Sequence, residues 1–594
     1  MLKKYLLSSL ALSLCSLTLF AQSDATKPMP RFERNAVMKA RDGVKLRADI
    51  YRPDGKGPFP VLLQRTPYDK QGAADFAQKA NALGFIVVVQ DVRGRFASDG
   101  EFYTFKHESD DGYDAVEWAA HLPGSDGRVG MFGGSYVGAT QMLAAVSQPS
   151  HLAGICPVVT ASNYHENWSW QGGAFEQWFN QSWTGHLAQD TLRRVLQSGN
   201  TTLPVDKILP LKNAPLLSLP ATINSPELTR QLAPYYIDWA SHPLYDGYWK
   251  QWAIDERYSK IQVPALTIAA WYDIFQGGSL RNFVGMQKYA ANDAARKGQH
   301  LFVTIGGHAG NGQKIGQVDF SPEALKYNEG DVTLEWYEYL FHGKKNMFAT
   351  DKPVHIFVMG ENKWRDEAAW PLPEAKETKY LLASNGRANS SAGDGSIAPA
   401  KTTGAPSDVF TYDPADPVPT TGGPLCCDAQ ILHPGPIDQK EVETRKDVLV
   451  YSTPTLEKDV EVTGPITLDL YASSSAVDTD FTAKLVDVWP NGFVQNLTEG
   501  ILRARYRNST QGAPEALVPG QVYELKIDLW STSNVFLKGL KIRLEVSSSN
   551  FPRFDRNLNT GKDAVDDSAF VPATNTVWHD AQHPSALILP IVPR

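Results

Sequence analysis

The chain has 594 residues, 42% of them hydrophobic and 21% charged, with a net charge of −8. At roughly 150 residues per domain this is room for about three or four domains with large buried cores. The acidic balance leaves no basic footprint, which argues against nucleic acid and anionic membrane surfaces as partners and for a small-molecule or peptide substrate.

The chain opens "MLKKYLLSSLALSLCSLTLFAQSDA": Lys3 and Lys4, an apolar run from Tyr5 to Phe20, then the small Ala21. This reads as a secretory signal over 1–21, so the mature protein is expected to be exported, periplasmic or secreted. A lipid anchor at Cys15 is the rival reading, disfavoured by the bulky Leu14 before it and by the apolar run continuing past it. No later run approaches the roughly 20 apolar residues needed to span a bilayer. Three cysteines follow the leader. Cys156, inside "LAGICPVV", reads as a buried core thiol. Cys426 and Cys427 could pair with each other, or one could pair elsewhere. No cysteine or histidine spacing resembles a zinc site, and no metal or other cofactor is expected.

From Arg31 to about Val159, "PFPVLLQRTPY", "GFIVVVQDVRG" and "GRVGMFGGS" read as buried strands. Between the last two, "DDGYDAVEWAAHL" spaces Ala115, Val116, Ala119 and Leu122 as a helix does, and "VGATQMLAAVSQ" reads as another helix. Such alternation predicts a mostly parallel sheet covered on both faces. It stops over 161–259, which is rich in aromatics and proline, and resumes with the strand-like "VPALTIAAWYDIF" and "QHLFVTIGGHAG". The expectation is an α/β domain over 22–160 and 260–368, interrupted by a helical cap. After about Trp370, "SNGRANSSAGDGSIAPAKTTGAPSD" reads as a surface loop or linker that builds no core. Then "DVLVYST", "PITLDLYAS", "FTAKLVDVW", "YELKIDLW" and "LKIRLEVSSSN" alternate between turn signals, which predicts a β-sandwich within 369–594.

An α/β sheet presents its reactive groups at the carboxyl ends of its strands. Four polar residues end apolar runs there: Tyr68, Ser135, Asp273 and His308. The last three stand in the chain order of an α/β-hydrolase triad. A serine hydroxyl needs an imidazole to accept its proton, and the imidazole needs a carboxylate to hold its tautomer. Alone, each has a bland reading: Ser135 as a hydroxyl in a glycine-rich turn, Asp273 as a helix cap, Tyr68 as a packed loop aromatic. The combination carries the assignment. The usual elbow has glycine two residues after the serine, whereas Val137 stands there and Gly138 follows.

"GGSYVG" from Gly133 to Gly138, "WYD" from Trp271 to Asp273, "RTPY" ending at Tyr68, "QDVRGRFASDGEF" from Gln90, "DPADPVPTTGG" from Asp413 and "SSNFPRFDRNLNTG" from Ser548 together resemble the cocaine esterase and X-prolyl dipeptidyl-peptidase family. That family includes α-amino acid ester hydrolases and glutaryl-type cephalosporin acylases, and the resemblance covers nearly the whole mature chain. It implies an α/β-hydrolase fold with a helical cap and a C-terminal jelly-roll sandwich. It also implies Ser135 as nucleophile, Asp273 as acid and His308 as base, with the Tyr68 hydroxyl and the Tyr136 N–H as oxyanion hole, acting through an acyl-enzyme.

Two departures stand out. The family's histidine motif is usually G-P-W-x-H, where this chain has "IGGHAGNG", and His300 is a rival base. Ile274, Phe275 and Gln276 follow Asp273 where amino acid ester hydrolases carry acids, which argues against α-amino acyl groups unless Glu166 or Glu176 substitutes. The cap aromatics Trp168, Trp170, Phe175 and Trp178, with Phe179 and Trp183, are candidates for an acyl pocket; the alternative is that Phe175, Phe179 and Trp183 form the buried stripe of a cap helix. The expected activity is hydrolysis of a small ester or amide with a bulky apolar acyl part. An X-prolyl dipeptidyl-peptidase or amino acid ester hydrolase is the alternative, and an inactive carbohydrate-binding module a remote one. Homo-oligomerisation is compatible with this reading.

Overall fold

The structure is a computed structural model that describes residues 31–199, 230–308, 310–400, 404–562 and 569–594. The leader read at 1–21 lies outside them. Ten strands make one sheet: β1 (Phe32–Lys39), β2 (Lys45–Tyr51), β3 (Phe59–Thr66), β4 (Ile86–Asp91), β5 (Ser125–Gly134), β6 (Leu152–Val158), β7 (Ala265–Tyr272), β8 (Gln299–Gly307), β9 (Val354–Val358) and β10 (Lys363–Glu367). Their order is β1-β2-β4-β3-β5-β6-β7-β8-β9-β10. Every neighbouring pair from β4 to β9 is parallel. The antiparallel pairs lie at the two edges.

The helices of eight or more residues, among those described, are α1 (Ala74–Ala82), α2 (Glu108–Ala120), α3 (Tyr136–Val146), α4 (Gln177–Gln197), α5 (Pro234–Ser241), α6 (Gln276–Tyr289) and α7 (Glu329–His342). The central strands need apolar side chains on both faces, because crossover helices cover both. Thus β4, "IVVVQD", and β7, "ALTIAAWY", are buried along their full lengths. Cys156, on β6, is buried, and its thiol is pushed up to about 12 by that burial.

The cap starts at the carboxyl end of β6. A two-stranded ribbon pairs Trp170–Gln171 with Ala174–Phe175 around Gly172 and Gly173, both at positive φ. A Cβ on Gly172 would stand 2.0 Å from the carbonyl oxygen of Ile501, so the bare turn lets the cap reach the C-terminal domain. Asp555 and Arg503 close that contact, accepting from Phe175 N–H and donating to Gly172 O respectively.

The C-terminal β-rich domain holds an 11-stranded sheet system whose longest strands, Val460–Ser474 and Tyr523–Phe536, pair antiparallel. Each of the five alternating runs read in the sequence contains a strand. The glycine- and serine-rich segment departs from expectation. Within it Ser396–Ala398 pairs with Lys376–Ala383 and Leu449–Ser452, and Ala388 and Ile397 are buried. Asp408 explains this, since it accepts from the Ala388 N–H and the Ser384 hydroxyl and so folds a polar segment onto the core. Asp478 and Asp480 are taken up by Arg503, Arg505 and Asn557 in a buried network. Cys426 and Cys427 pair with each other. No helix among the described residues is long and apolar enough to cross a membrane.

Candidate active site

Ser135 follows β5 and caps α3 with φ 61° and ψ −128°, a conformation held only where the surroundings enforce it. Its N–H donates to Val158 O at 2.9 Å, and its carbonyl accepts from Thr160 Oγ1 at 2.9 Å. The unusual glycine spacing follows from what each position faces. Gly133 has φ 120°, and a Cβ there would lie 2.4 Å from Val137 Cγ1, so the valine fills the space that this glycine leaves. A Cβ on Gly138 would lie 2.8 Å from Thr160 Cβ. It is therefore position 138, not 137, that must be bare for α3 to approach the chain leaving β6.

Asp273 follows β7 and His308 follows β8, so both stand at the carboxyl edge that also carries Ser135. His308 Nδ1 is 2.7 Å from Asp273 Oδ2, and His308 Nε2 is 2.9 Å from Ser135 Oγ. With its Nδ1 facing a carboxylate, the neutral ring holds its proton there and offers Nε2 as acceptor to the serine hydroxyl. The other Asp273 oxygen accepts from the Phe275 N–H at 2.7 Å. Asp273 is fully buried and the His308 side chain is 12% exposed. Reciprocal hydrogen bonds join the main chains of Gly307 and Gly310 on either side of His308. His300 lies near the opposite end of β8, packed edge-on against Tyr339 and Phe348, its pKa pushed down to about 4 by burial. It does not reach Ser135.

Tyr68 is 40% exposed as a residue, yet its hydroxyl is enclosed beside the Ser135 side chain and the Tyr136 N–H. Trp183 Nε1 donates to this hydroxyl at 2.9 Å. Desolvation raises the phenol pKa, so its proton stays in place for donation. The Tyr136 ring points the other way: its hydroxyl donates to Glu108 Oε1 at 3.0 Å and accepts from the Phe105 N–H. Glu108 is also paired with Arg65 at 2.6 Å, so a buried ion pair from the "RTPY" segment braces the first turn of α3.

Of the four candidate pocket residues, the structure brings Trp168 to the site and not the others. Trp168 stacks on Phe275 at 4.4 Å, and Phe275 meets the His308 ring edge-on at 5.3 Å. Trp170 packs against Phe175 and donates to Trp239 O. Trp178 packs with Leu425 and Leu432 and donates to the Cys426 and Cys427 carbonyls. These three anchor the cap to itself and to the β-rich domain. Glu176 is paired with Arg553, and Glu166 accepts from the Gly172 N–H; burial pushes both carboxyls up to about 7.

Four further residues belong to the site. Phe275 is its apolar wall, and the only sequence signal for it was its place two residues after the acid. Trp183 holds Tyr68 across 115 positions of sequence. Gln276 exchanges hydrogen bonds with the main chain of Ser531, and the Tyr272 hydroxyl donates to Asn496 O at 2.9 Å. The loop carrying Asp273 is thus gripped on both sides by the β-rich domain.

Residues 42–310 match the X-Pro dipeptidyl-peptidase (S15 family) profile, and residues 346–588 match the X-Pro dipeptidyl-peptidase C-terminal non-catalytic domain. Cocaine esterase from Rhodococcus sp. (strain MB1 Bresler) is 38% identical over 584 residues, covering 94% of this chain and 98% of that protein. The same fold occurs in an aminopeptidase from a marine sediment Thaumarchaeota archaeon (TM-score 0.79, 24% identity, 96% of this chain and 100% of that one). It occurs also in an α-amino acid ester hydrolase (TM-score 0.76, 23% identity, 97% and 100%). The chain therefore belongs to the X-Pro dipeptidyl-peptidase (S15) family of hydrolases, together with cocaine esterase.

Proposed function

We propose that this enzyme is an exported serine hydrolase that cleaves small esters or amides with a bulky apolar acyl part through an acyl-enzyme. The observation that carries the reading is the unbroken line Asp273–His308–Ser135, with contacts of 2.7 and 2.9 Å, ending beside two donors. Ser135 Oγ attacks the carbonyl carbon while His308 Nε2 takes its proton, and Asp273 stabilises the imidazolium. The Tyr68 hydroxyl and the Tyr136 N–H donate to the oxygen that gains charge, each contributing about 3 kcal/mol as such donors do elsewhere. His308 returns the proton to the leaving alcohol or amine, then draws one from water, which releases the acid and frees Ser135.

The specificity follows from Phe275 and Trp168. These buried rings pack beside His308, where a substrate ammonium would need a carboxylate, and Glu176 is already committed to Arg553. The decisive experiment is a turnover comparison across aryl esters, side-chain amides, α-amino acid esters and X-Pro peptides. Aryl esters should lead. Equal or better turnover of the α-amino substrates overturns this specificity in favour of an amino acid ester hydrolase or dipeptidyl-peptidase. The charged start and apolar run of the leader support export; a mature enzyme recovered with Met1 intact would refute it.

A further inference from the structure

Far from Ser135, at the amino ends of the strands, α2 and the entry to β6 bring two histidines and a glutamate together. Glu117 and His121 are one helical turn apart at the end of α2, and His151 immediately precedes β6. One potential ligand atom from each lies within 4.8 Å of the others. The His121 and His151 ring centroids are 5.0 Å apart and the rings are inclined by 73°.

The hydrogen bonds fix how the rings are presented. His121 Nδ1 lies 2.7 Å from the Glu117 carbonyl oxygen. His151 Nδ1 lies 2.7 Å from Glu117 Oε2, and the His151 N–H donates to Glu117 Oε1. The His151 carbonyl accepts from Val129 N–H, so this loop is tied to β5 as well. In the neutral rings both protons sit on Nδ1, and each Nε2 keeps a bare lone pair with no hydrogen-bond partner among the described residues. This is the arrangement of metal-binding histidines, whose second nitrogen donates to a carbonyl or carboxylate that sets the tautomer and strengthens the ligand. The contact with the Glu117 carboxylate accounts for His151 Nδ1 and the contact with the Glu117 carbonyl at the end of α2 accounts for His121 Nδ1, and neither engages an Nε2. Two imidazolium rings at this separation would repel each other.

We propose that His121 and His151, with Glu117 orienting both rings, bind one divalent transition-metal ion of the imidazole-preferring kind, such as Zn²⁺ or Cu²⁺. The rings are solvent-accessible, so water completes the coordination. The bound ion clips the end of α2 to the entry of β6 and stabilises the folded chain by mass action. It takes no part in the chemistry at Ser135, which lies at the opposite end of the strands.

The test is calorimetric titration of the chelator-stripped mature enzyme with ZnCl₂. One equivalent should bind saturably and raise the melting temperature. His121→Ala with His151→Ala should abolish both effects while leaving aryl ester turnover unchanged, and Glu117→Gln should weaken binding about tenfold or more. On the unmutated enzyme, one equivalent of Cu²⁺ should show imidazole nitrogen coupling in its paramagnetic resonance spectrum. Absence of saturable Zn²⁺ binding, equal binding by the double variant, or a Cu²⁺ spectrum without nitrogen coupling overturns the proposal.

Discussion

Tyr68→Phe removes a single oxygen, and the structure sets what that oxygen does. The ring remains, and because it is 40% exposed its packing contributes little to the core. What goes is the donor beside Ser135 and the acceptor of the Trp183 indole N–H. Loss of one of two oxyanion donors should raise the barrier by about 3 kcal/mol, a fall in kcat of about 10² to 10³, with KM nearly unchanged because the interaction forms chiefly in the transition state. Trp183 is buried, so its stranded N–H should cost about 1–3 kcal/mol of stability. Steady-state kinetics on an aryl ester and urea unfolding read the two effects separately. A kcat within tenfold of the unmutated enzyme, or a loss confined to KM, would refute the placement of Tyr68 in the oxyanion hole. Trp183→Phe is the companion variant: it keeps the phenol and removes what orients it, so its loss of kcat should be real but smaller.

Replacing His308 with Gln should abolish turnover with the fold intact, whereas His300→Gln should leave turnover within severalfold; a reversed pattern in an aryl ester assay would reassign the base. Gly138→Ala puts a Cβ 2.8 Å from Thr160, which holds the Ser135 carbonyl, so we expect about 1–3 kcal/mol of destabilisation by thermal melting and a fall in kcat. A neutral outcome would show the elbow to be slack. Asp487 is buried with only Asn534 as hydrogen-bond partner among the described residues, and burial pushes its carboxyl up to about 8. The folded chain therefore favours the protonated acid, and its stability falls as pH rises from about 4 through 8. Asp487→Asn should match the unmutated enzyme near pH 4 and exceed it at pH 9, with about 6 kcal/mol as the upper bound. Equal unfolding midpoints at pH 9 would refute this.

The parallel sheet was readable because buried strands must be apolar on both faces, and "IVVVQD" or "ALTIAAWY" admit few other homes. The reactive edge was readable for a related reason: polar residues that end such runs stand at the carboxyl ends of strands. The aromatic residues of the cap were another matter. Trp168, Trp170, Phe175 and Trp178 look alike in the sequence, yet one borders the site and three anchor the cap, because partners such as Phe275, Trp239 and the Cys426 carbonyl come from distant segments. The glycine- and serine-rich segment misled because Asp408, at its own end, turns back to accept from the Ala388 N–H 20 residues earlier, a contact that composition does not show.

By itself, the sequence determined five strands of the parallel sheet and two of its helices, the serine, aspartate and histidine that follow three of those strands, and the odd spacing from Gly133 to Gly138. Periodicity and local turn chemistry are written along the chain, so they survive without coordinates. Only the tertiary structure decided that Val137 fills the space beside Gly133 while Gly138 faces Thr160, that Trp183 holds Tyr68, and that His121 meets His151 at the far end of the sheet. Apart from Val137 and Gly133, neighbours within one elbow, these are contacts between segments remote in sequence, and such contacts exist only once burial of the apolar faces has brought those segments together.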